Sequence, residues 1–315
     1  MQEFKITPAD KNRRLDLFIC EKLPDLSRSQ IQKRIKAGNI LVNHKKTAVH
    51  HFLKTHDIIL INLPLDDATH PSKLTAQFQK VAEAFVPRLE IIDETDDYLI
   101  INKPAGLLVH EAPGKNEITL VDLILKKYPA VAKIGEDPLR PGIVHRLDKE
   151  VSGLLVVAKT QDMFDNLKKQ FKAREIKKEY TALVHGCPDK PIGEITFNID
   201  RSETEGHKMA AVPDDRGRQA ATEFEIIEKL GNYTLLKIKP QTGRTHQIRV
   251  HLNAYGLPIV GDLTYRPKKL KSKIKMRRIF LHANYLGFTD INKQWREFTL
   301  PLPEELRNII QEIKG

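Results

Sequence analysis

Apolar and polar positions at the start of the chain follow the periods of two short helices and a small sheet. Apolar residues recur at helical spacing over 15–23, and a second helix is predicted over Arg28–Ala37, where Ser27 opens a capping-box pattern. Apolar runs at 39–42 and 57–61 predict two strands after these helices. Residues 1–63 therefore predict a small α/β unit.

The pattern changes after residue 63. Prolines and acidic residues over 64–87 are typical of an exposed linker, within which 74–84 has a helical pattern. Residues 88–315 carry more strand patterns than helix patterns, which indicates an α+β domain around a large, mainly antiparallel sheet. The predicted strands are 89–92, 98–102, 107–110, 153–158, 180–184, 194–198, 222–228 and 233–239, and the predicted helices are 119–128, 161–174, 245–255 and 304–313.

Basic residues outnumber acidic ones. The chain has 52 Lys and Arg against 41 Asp and Glu, a formal net charge of +11. An excess of this size favours a polyanionic partner, of which nucleic acid is the commonest, although charge that serves only solubility is the alternative. Basic residues cluster over 168–178, over 268–278 and in the helix at 33–36, which favours contacts to phosphates.

The cysteines and the apolar runs bear on the compartment. Cys20 and Cys187 are the only cysteines, and their separation predicts neither a disulfide framework nor a zinc site. The first residues carry no apolar stretch of signal-peptide length, and no run approaches about 18 continuous apolar residues. We therefore expect a cytoplasmic protein with no membrane partner.

Residues 140–153 form the densest cluster of chemically active side chains. His145, Arg146 and Asp148 lie among loop residues just before an apolar strand. A carboxylate fixed in a cleft acts as a nucleophile or a base, and a neighbouring arginine inserts into a nucleic-acid helix or holds a phosphate. An ordinary surface turn with an Asp–Arg ion pair is the alternative.

Three further motifs are candidates for the same site. In the helix predicted over 245–255, Ile248 lies on the apolar face and Arg249 on a neighbouring stripe that can face a cleft. Tyr180 begins a strand and can stack on a base, although a strand tyrosine is more often part of the core. Lys103 opens a sharp turn after an apolar strand.

Motifs for bound cofactors are absent from the sequence. It contains no P-loop, no dinucleotide fingerprint and no metal-type spacing of Cys and His. His246 and His251 are five residues apart on a predicted helix, so their side chains are poorly aligned for a shared metal. We therefore expect no metal, no nucleotide and no other cofactor.

The residues over 140–160 closely resemble the central motif of the Rlu-type ribosomal RNA pseudouridine synthases, whose hallmark His-Arg-Leu-Asp stands here at 145–148. The first segment resembles the alpha-L RNA-binding domain at 14–16, 27–31 and 38–43. The resemblance implies a pseudouridine synthase fold over 88–315, preceded by an RNA-binding domain over 1–63 and a linker over 64–87. The central match continues in the family's order through 102–106, 178–180, 208–210, 242–252 and 261–265 to 281–283.

The resemblance also implies roles for single residues. Asp148 matches the family's essential carboxylate, Arg249 its partner, and Tyr180 the tyrosine that stacks on the target uracil. Arg146 matches the arginine that replaces the extruded base, and Ile248 matches an apolar residue that packs against that base. Further RNA contacts are expected from these residues: His145, Lys103, Arg28, Ser29 and Lys33.

The implied reaction isomerises uridine to pseudouridine, so substrate and product have the same atoms and no cofactor is required. Asp148 either attacks the anomeric carbon or removes the ribose 2′ proton, and the sequence leaves both roles open. The expected substrate is large-subunit (23S) ribosomal RNA, free or in a pre-ribosomal particle, bound by a monomer. Alternatives are transfer RNA as substrate, a non-catalytic ribosome-assembly factor, and a metal-dependent nuclease.

Overall fold

The computed structural model describes residues 2–23, 28–62, 89–111, 117–205, 208–213, 215–270 and 272–315. The chain divides into two compact units, residues 1–79 and 80–315. The predicted linker over 64–87, with its helical pattern, lies outside the described residues, as does Ser27. Within the described part, no helix is long and apolar enough to cross a membrane.

The first unit packs two helices on a three-stranded antiparallel sheet with the order β1-β3-β2. Its core consists of apolar side chains that are almost fully buried, among them Leu15, Ile19, Ile31 and Ile59. The two predicted helices and both predicted strands are confirmed, while β1 was not predicted. The elements are β1 (Gln2–Lys5), a 3-10 turn (Pro8–Asp10), α1 (Leu15–Lys22), α2 (Arg28–Ala37), β2 (Ile40–Val42) and β3 (Ile58–Ile61).

The second unit is built on a nine-stranded sheet. Eight of its strands have the order β4-β5-β6-β13-β7-β12-β11-β8, and the ninth, β14, pairs with β13. Only the contact between β6 and β13 is parallel, so the predicted mainly antiparallel sheet is confirmed. Strands β9 and β10 form a separate hairpin. The strands are β4 (Glu90–Glu94), β5 (Tyr98–Lys103), β6 (Ser152–Ala158), β7 (Lys177–His185), β8 (Ile192–Ile195), β9 (Asn198–Arg201), β10 (Met209–Val212), β11 (Thr222–Leu230), β12 (Tyr233–Pro240), β13 (Leu281–Thr289) and β14 (Trp295–Thr299).

Helices cover both faces of this sheet. Along β5, Leu99 and Ile101 pack into one core and Tyr98 and Ile100 into another, because successive strand residues point to opposite faces. The first core includes residues of α3, α5 and α6, and the second includes residues of α4. The helices are α3 (Leu120–Lys127), a 3-10 helix (Pro129–Lys133), α4 (Gln161–Ala173), α5 (Gln247–Ala254) and α6 (Glu304–Lys314).

The strand predicted over 107–110 is wrong. Its apolar residues are buried, but the segment forms only an isolated bridge from Leu108 to Thr119. The carbonyls of Leu108 and Val109 accept hydrogen bonds from the first two N–H groups of α3, so they complete a helix terminus rather than a sheet. The strand predicted over 194–198 is divided in the structure between the ends of β8 and β9.

Candidate active site

Asp148 lies in the loop that precedes β6, and the buried side chain of Lys103 is hydrogen-bonded to this loop. Lys103 is fully buried, and its Nζ donates to the carbonyl oxygens of Pro104 (2.8 Å), Leu107 (2.8 Å) and Lys149 (3.2 Å). Three acceptors match the three N–H donors of an ammonium group. Burial, assisted by the nearby charge of Arg278, lowers the pKa of Lys103 to about 7.

The other end of the loop is fixed where β6 begins. Ser152 Oγ accepts a hydrogen bond from Arg278 Nη2 (2.7 Å) and lies 2.8 Å from His282 Nδ1. The next residue, Gly153, has φ of +122°, and a Cβ built there would lie 2.2 Å from the carbonyl oxygen of Ala283. Only glycine permits this close approach of β6 to β13. The segment that directly follows Asp148 is therefore anchored at two points, the Lys149 carbonyl and the start of β6.

Arg249 of α5 is the partner of Asp148. Its Nη1 lies 3.3 Å from Asp148 Oδ2 and 3.8 Å from Glu150 Oε2, and its Nε and Nη2 donate to the two oxygens of Asp262 at 2.8 and 2.9 Å. Burial opposes the charge of the guanidinium, but these hydrogen bonds and carboxylates outweigh it and raise the pKa of Arg249 above its usual range. The bidentate contact leaves one guanidinium edge directed at Asp148.

Asp262 is itself held by the backbone. Its Oδ1 also accepts from the N–H groups of Thr264 (2.9 Å) and Tyr265 (3.1 Å). Burial would raise the pKa of this carboxyl, but Arg249 and the two N–H groups lower it below its ordinary value. The Tyr265 ring lies beneath the guanidinium, 5.0 Å from Cζ of Arg249. Arg249 is thus fixed on two sides.

His246 stands beside Asp148 at the N-terminus of α5, in the left-handed region at φ 55°. Its Nδ1 lies 2.7 Å from the Tyr265 hydroxyl and its Nε2 lies 4.0 Å from Asp148 Oδ1. The hydroxyl already accepts from the Met209 N–H (3.0 Å), so its own proton is available for Nδ1. Burial lowers the pKa of His246, which favours the neutral ring, and a neutral ring that accepts this proton at Nδ1 carries its own proton on Nε2.

These residues open into a cleft of about 1060 Å³. Tyr180 of β7 and Ile248 of α5 line it and are 8% and 7% exposed. Burial, followed by the charge of Asp148, raises the pKa of Tyr180 above its ordinary value, which keeps the phenol neutral. Nine lining side chains are basic against three acidic ones, and the basic ones are Arg140, Arg146, Lys172, Arg174, Lys177, Lys178, Lys239, Arg244 and Arg249.

His145 supports the cleft wall. Its Nε2 accepts a hydrogen bond from the Val156 N–H (3.1 Å), and its ring stacks on Phe171 at 4.9 Å between centroids. Burial, followed by the charge of Lys178, lowers the pKa of His145 to about 3, so the ring is neutral. This geometry gives His145 a structural contact in the cleft wall, and its expected contact with RNA stays a prediction.

The structure brings six of the predicted site residues to one cleft: His145, Arg146, Asp148, Tyr180, Ile248 and Arg249. Lys103 does not reach it, because all its donors face carbonyls inside the fold. Arg28, Ser29 and Lys33 lie on α2 of the first unit, and their side chains fall outside the described residues. Asp262, Tyr265 and Lys178 complete the site, and no single role was predicted for them from the sequence.

His251, one of the two histidines compared as candidate metal ligands, has other hydrogen-bonding partners. The two ring nitrogens of His251 lie 3.0 Å from Thr222 Oγ1 and 2.9 Å from the Phe197 carbonyl oxygen. Within the described residues, no group of three or more His, Cys, Asp or Glu side chains is arranged to hold a metal ion.

A carboxylate beside a fixed arginine in a basic cleft suits catalysis on a polyanionic substrate. The profile of the RNA pseudouridylate synthase family matches residues 97–254, and that of the S4 domain matches residues 13–59. A Chloroflexus aurantiacus protein named an uncharacterized RNA pseudouridine synthase is 40% identical over 98% of this chain and 92% of its own length. Ribosomal large subunit pseudouridine synthase D of Zymomonas mobilis is 35% identical over 93% of this chain and 92% of its own length.

The solved structure of human RNA Pseudouridylate Synthase Domain Containing 1 superposes with a TM-score of 0.56 and 26% identity, covering 72% of this chain and 95% of that one. The chain therefore belongs to the RNA pseudouridylate synthase family of isomerases, with an S4 domain ahead of its synthase domain. The family resemblance stated from the sequence is confirmed, as is the predicted fold class.

Proposed function

We propose that this enzyme isomerises specific uridines of large-subunit ribosomal RNA and that Asp148 is its catalytic carboxylate. The contact of Arg249 Nη1 with Asp148 Oδ2, with Arg249 locked by Asp262, is the observation that carries the proposal. It places a single oriented carboxylate in a basic cleft that is large enough for an extruded nucleotide.

The cleft residues have different roles in the proposed reaction. Arg146 is exposed at the cleft and can fill the vacancy that the extruded base leaves in the RNA helix. Tyr180 and Ile248 offer one aromatic and one apolar surface to the uracil. Arg249 holds Asp148 toward the ribose, where its carboxylate attacks C1′ or removes the 2′ proton. The tautomer of His246 described above places a neutral N–H donor on the same side.

The substrate class rests on the relatives. Three relatives named ribosomal large subunit pseudouridine synthase D are 33 to 35% identical over at least 93% of this chain. The S4 match supplies a second region for RNA, consistent with recognition of structured loops. Transfer RNA is the competing substrate. The experiment also compares free RNA with a pre-ribosomal particle as the form on which the enzyme acts. Monomeric state and cytoplasmic location stay predictions.

Tritium release from carbon 5 of uracil tests the proposal. Carbon 5 becomes the glycosidic atom, so its hydrogen must leave to water. Tritiated large-subunit, small-subunit and transfer RNA transcripts are incubated separately with the wild-type protein, Asp148→Asn and Asp162→Asn. Asp162 is an exposed aspartate of α4 that lies outside the cleft and serves as the matched control.

We expect release from the large-subunit transcript by the wild type and the control, and none by Asp148→Asn, which still binds RNA. Release from transfer RNA alone would overturn the substrate class. Release by Asp148→Asn would overturn the role of the carboxylate. Binding without release from transcripts and from pre-ribosomal particles would favour a non-catalytic assembly factor, and RNA cleavage sensitive to a chelator would indicate a nuclease.

A further inference from the structure

Lys178 enters the cleft beside the proposed base platform. It lies two residues before Tyr180 on β7, so the two side chains leave the same face of the strand. Both line the cleft. The Lys178 ammonium lies over the Phe171 ring, with Nζ 5.6 Å from the ring centroid.

The Phe171 ring is held in position by its contact with His145. The ring stacks on His145, which is anchored to β6 through the Val156 N–H. A neutral imidazole behind the ring adds no competing positive charge. His145, Phe171 and Lys178 therefore pack in succession as part of the cleft wall, and the last of them is a cation. This wall lines the same cleft as Asp148.

Lys178 has no counter-charge in the described part of the chain. Lys172, Arg174 and Lys177 of the same cleft are also without a carboxylate partner among the described residues, but they are exposed, whereas Lys178 is half-buried. Lys239, by contrast, lies 3.7 Å from Glu179. Among the described residues, no carboxylate or carbonyl oxygen lies within hydrogen-bonding distance of Lys178 Nζ, and the ammonium contacts the Phe171 ring. Desolvation accordingly lowers the pKa of Lys178 to about 8.

Keeping a half-buried ammonium without an anion is unfavourable for the free protein. The same arrangement favours any ligand that brings an oxyanion, because part of the cost of desolvating the lysine has already been met by folding. RNA carries such an anion on every nucleotide. A base stacked on Tyr180 brings its own backbone close to a lysine on the same strand face.

We propose that Lys178, seated on Phe171, binds a backbone phosphate that flanks the target uridine and so sets the depth to which that nucleotide enters the cleft. This inference rests on the proposed function, since it takes RNA as the substrate. It makes Lys178 a specific subsite, distinct from the exposed lysines of the same cleft whose charge attracts RNA without positioning it.

Salt dependence of RNA binding separates the two kinds of lysine. Lys178→Met and Lys178→Arg are prepared in the Asp148→Asn background, with Lys229→Met as the matched control. Lys229 is also a strand lysine, but it is exposed and lies outside the cleft. Binding to the large-subunit transcript is measured over a range of KCl concentrations, and circular dichroism checks that each variant is folded.

We expect Lys178→Met to weaken binding about tenfold at low salt and to reduce the slope of log Kd against log salt by about 0.7, the effect of one lost contact to a single-stranded phosphate. Lys178→Arg keeps the slope, and Lys229→Met changes neither quantity. An unchanged slope in folded Lys178→Met would overturn the proposal. If Lys178→Met is unfolded, the proposal is tested with Lys178→Arg and with the methylphosphonate-substituted RNA.

A methylphosphonate in place of each phosphate flanking the target uridine removes the anion from the RNA side. At the phosphate that binds Lys178, the substitution weakens wild-type binding as Lys178→Met does, and combining the two adds nothing further. Additive losses at both phosphates would overturn the subsite and point to a contact with the base. The slope is measured whether or not tritium is released, so failure of this inference is separate from failure of the proposed function.

Discussion

Replacing Asp262 by Asn tests whether a residue that need not touch the substrate controls Asp148. The carboxylate binds Arg249 through two hydrogen bonds, and both side chains are buried, at 2% and 4% exposure. Asn keeps the shape but removes the charge and places an N–H₂ group against one donor. The loss of one charge-assisted hydrogen bond corresponds to about 1.5–3 kcal/mol of stability.

The catalytic loss follows from geometry. Without the bidentate contact, the guanidinium is free to turn toward Asp148 and Glu150, and the orientation of the Asp148 carboxylate changes with it. A misplacement of about 1 Å at a reacting group corresponds to a rate loss of about 100-fold. We therefore expect Asp262→Asn to lower the single-turnover rate of tritium release by about that factor.

Asp290 provides a matched control. It is 5% exposed, its Oδ2 accepts from Arg296 Nε at 2.8 Å, and its Oδ1 accepts from two backbone N–H groups, as in Asp262. It lies outside the cleft, so Asp290→Asn should lose stability and keep its rate.

Fluorescence of Trp295 reports unfolding of the synthase unit alone, because this residue is the only tryptophan and belongs to β14. Urea titrations of both variants are read by this signal, and tritium release is measured under single-turnover conditions. A rate for Asp262→Asn within threefold of the wild type, at a lowered unfolding midpoint, would show that Asp262 stabilises the fold without positioning Asp148. An unchanged midpoint would refute the energetic reasoning.

Three further predictions concern the scaffold around Asp148. Gly153→Ala should destabilise the synthase unit by about 2–4 kcal/mol, because its Cβ meets the Ala283 backbone, whereas Gly243→Ala, with open space around it, changes the urea midpoint little. Burial and Arg278 lower the pKa of His282 to about 4, so the unfolded chain takes up a proton below about pH 6.5 that the folded chain does not; His282 should therefore contribute about 2 kcal/mol to the loss of stability from pH 7 to pH 5, and His282→Asn should remove that contribution. Lys103→Met leaves three carbonyls without their donor and should lower the tritium-release rate more than RNA affinity; equal losses in both would contradict a role confined to the loop.

The sequence predicted elements whose signals are local. Helices α3 and α4 were predicted from the sequence, and in the structure each starts after a threonine whose side chain caps it and then carries a regular apolar face. Strands β13 and β14 were missed because their burial pattern depends on neighbours distant in sequence. β13 lies between β6 and β7, and its residues are buried in part by that central position.

Sequence motifs identified the residues that we propose act on the substrate, but not the residues that hold them in place. Asp148, Tyr180 and Arg249 stand in motifs whose chemistry is visible in the residues themselves. Asp262 and Tyr265 act through Arg249 and His246, and such roles follow only from distances between separate segments. Lys103 was misread for the same reason, because a lysine in a turn gives no sign that three carbonyls surround it.

The supports of Asp148 come from different parts of the sheet, and this arrangement suits a reaction without a cofactor. Lys103 acts from the end of β5, Gly153 and Ser152 act from the junction of β6 with β13, and Arg249 acts from α5. In the proposed reaction, Asp148 serves a uracil that detaches, turns and reattaches, so the position of this carboxylate has to be kept while the substrate moves. Rigid supports from several elements provide that constancy, since each limits a different displacement of the loop.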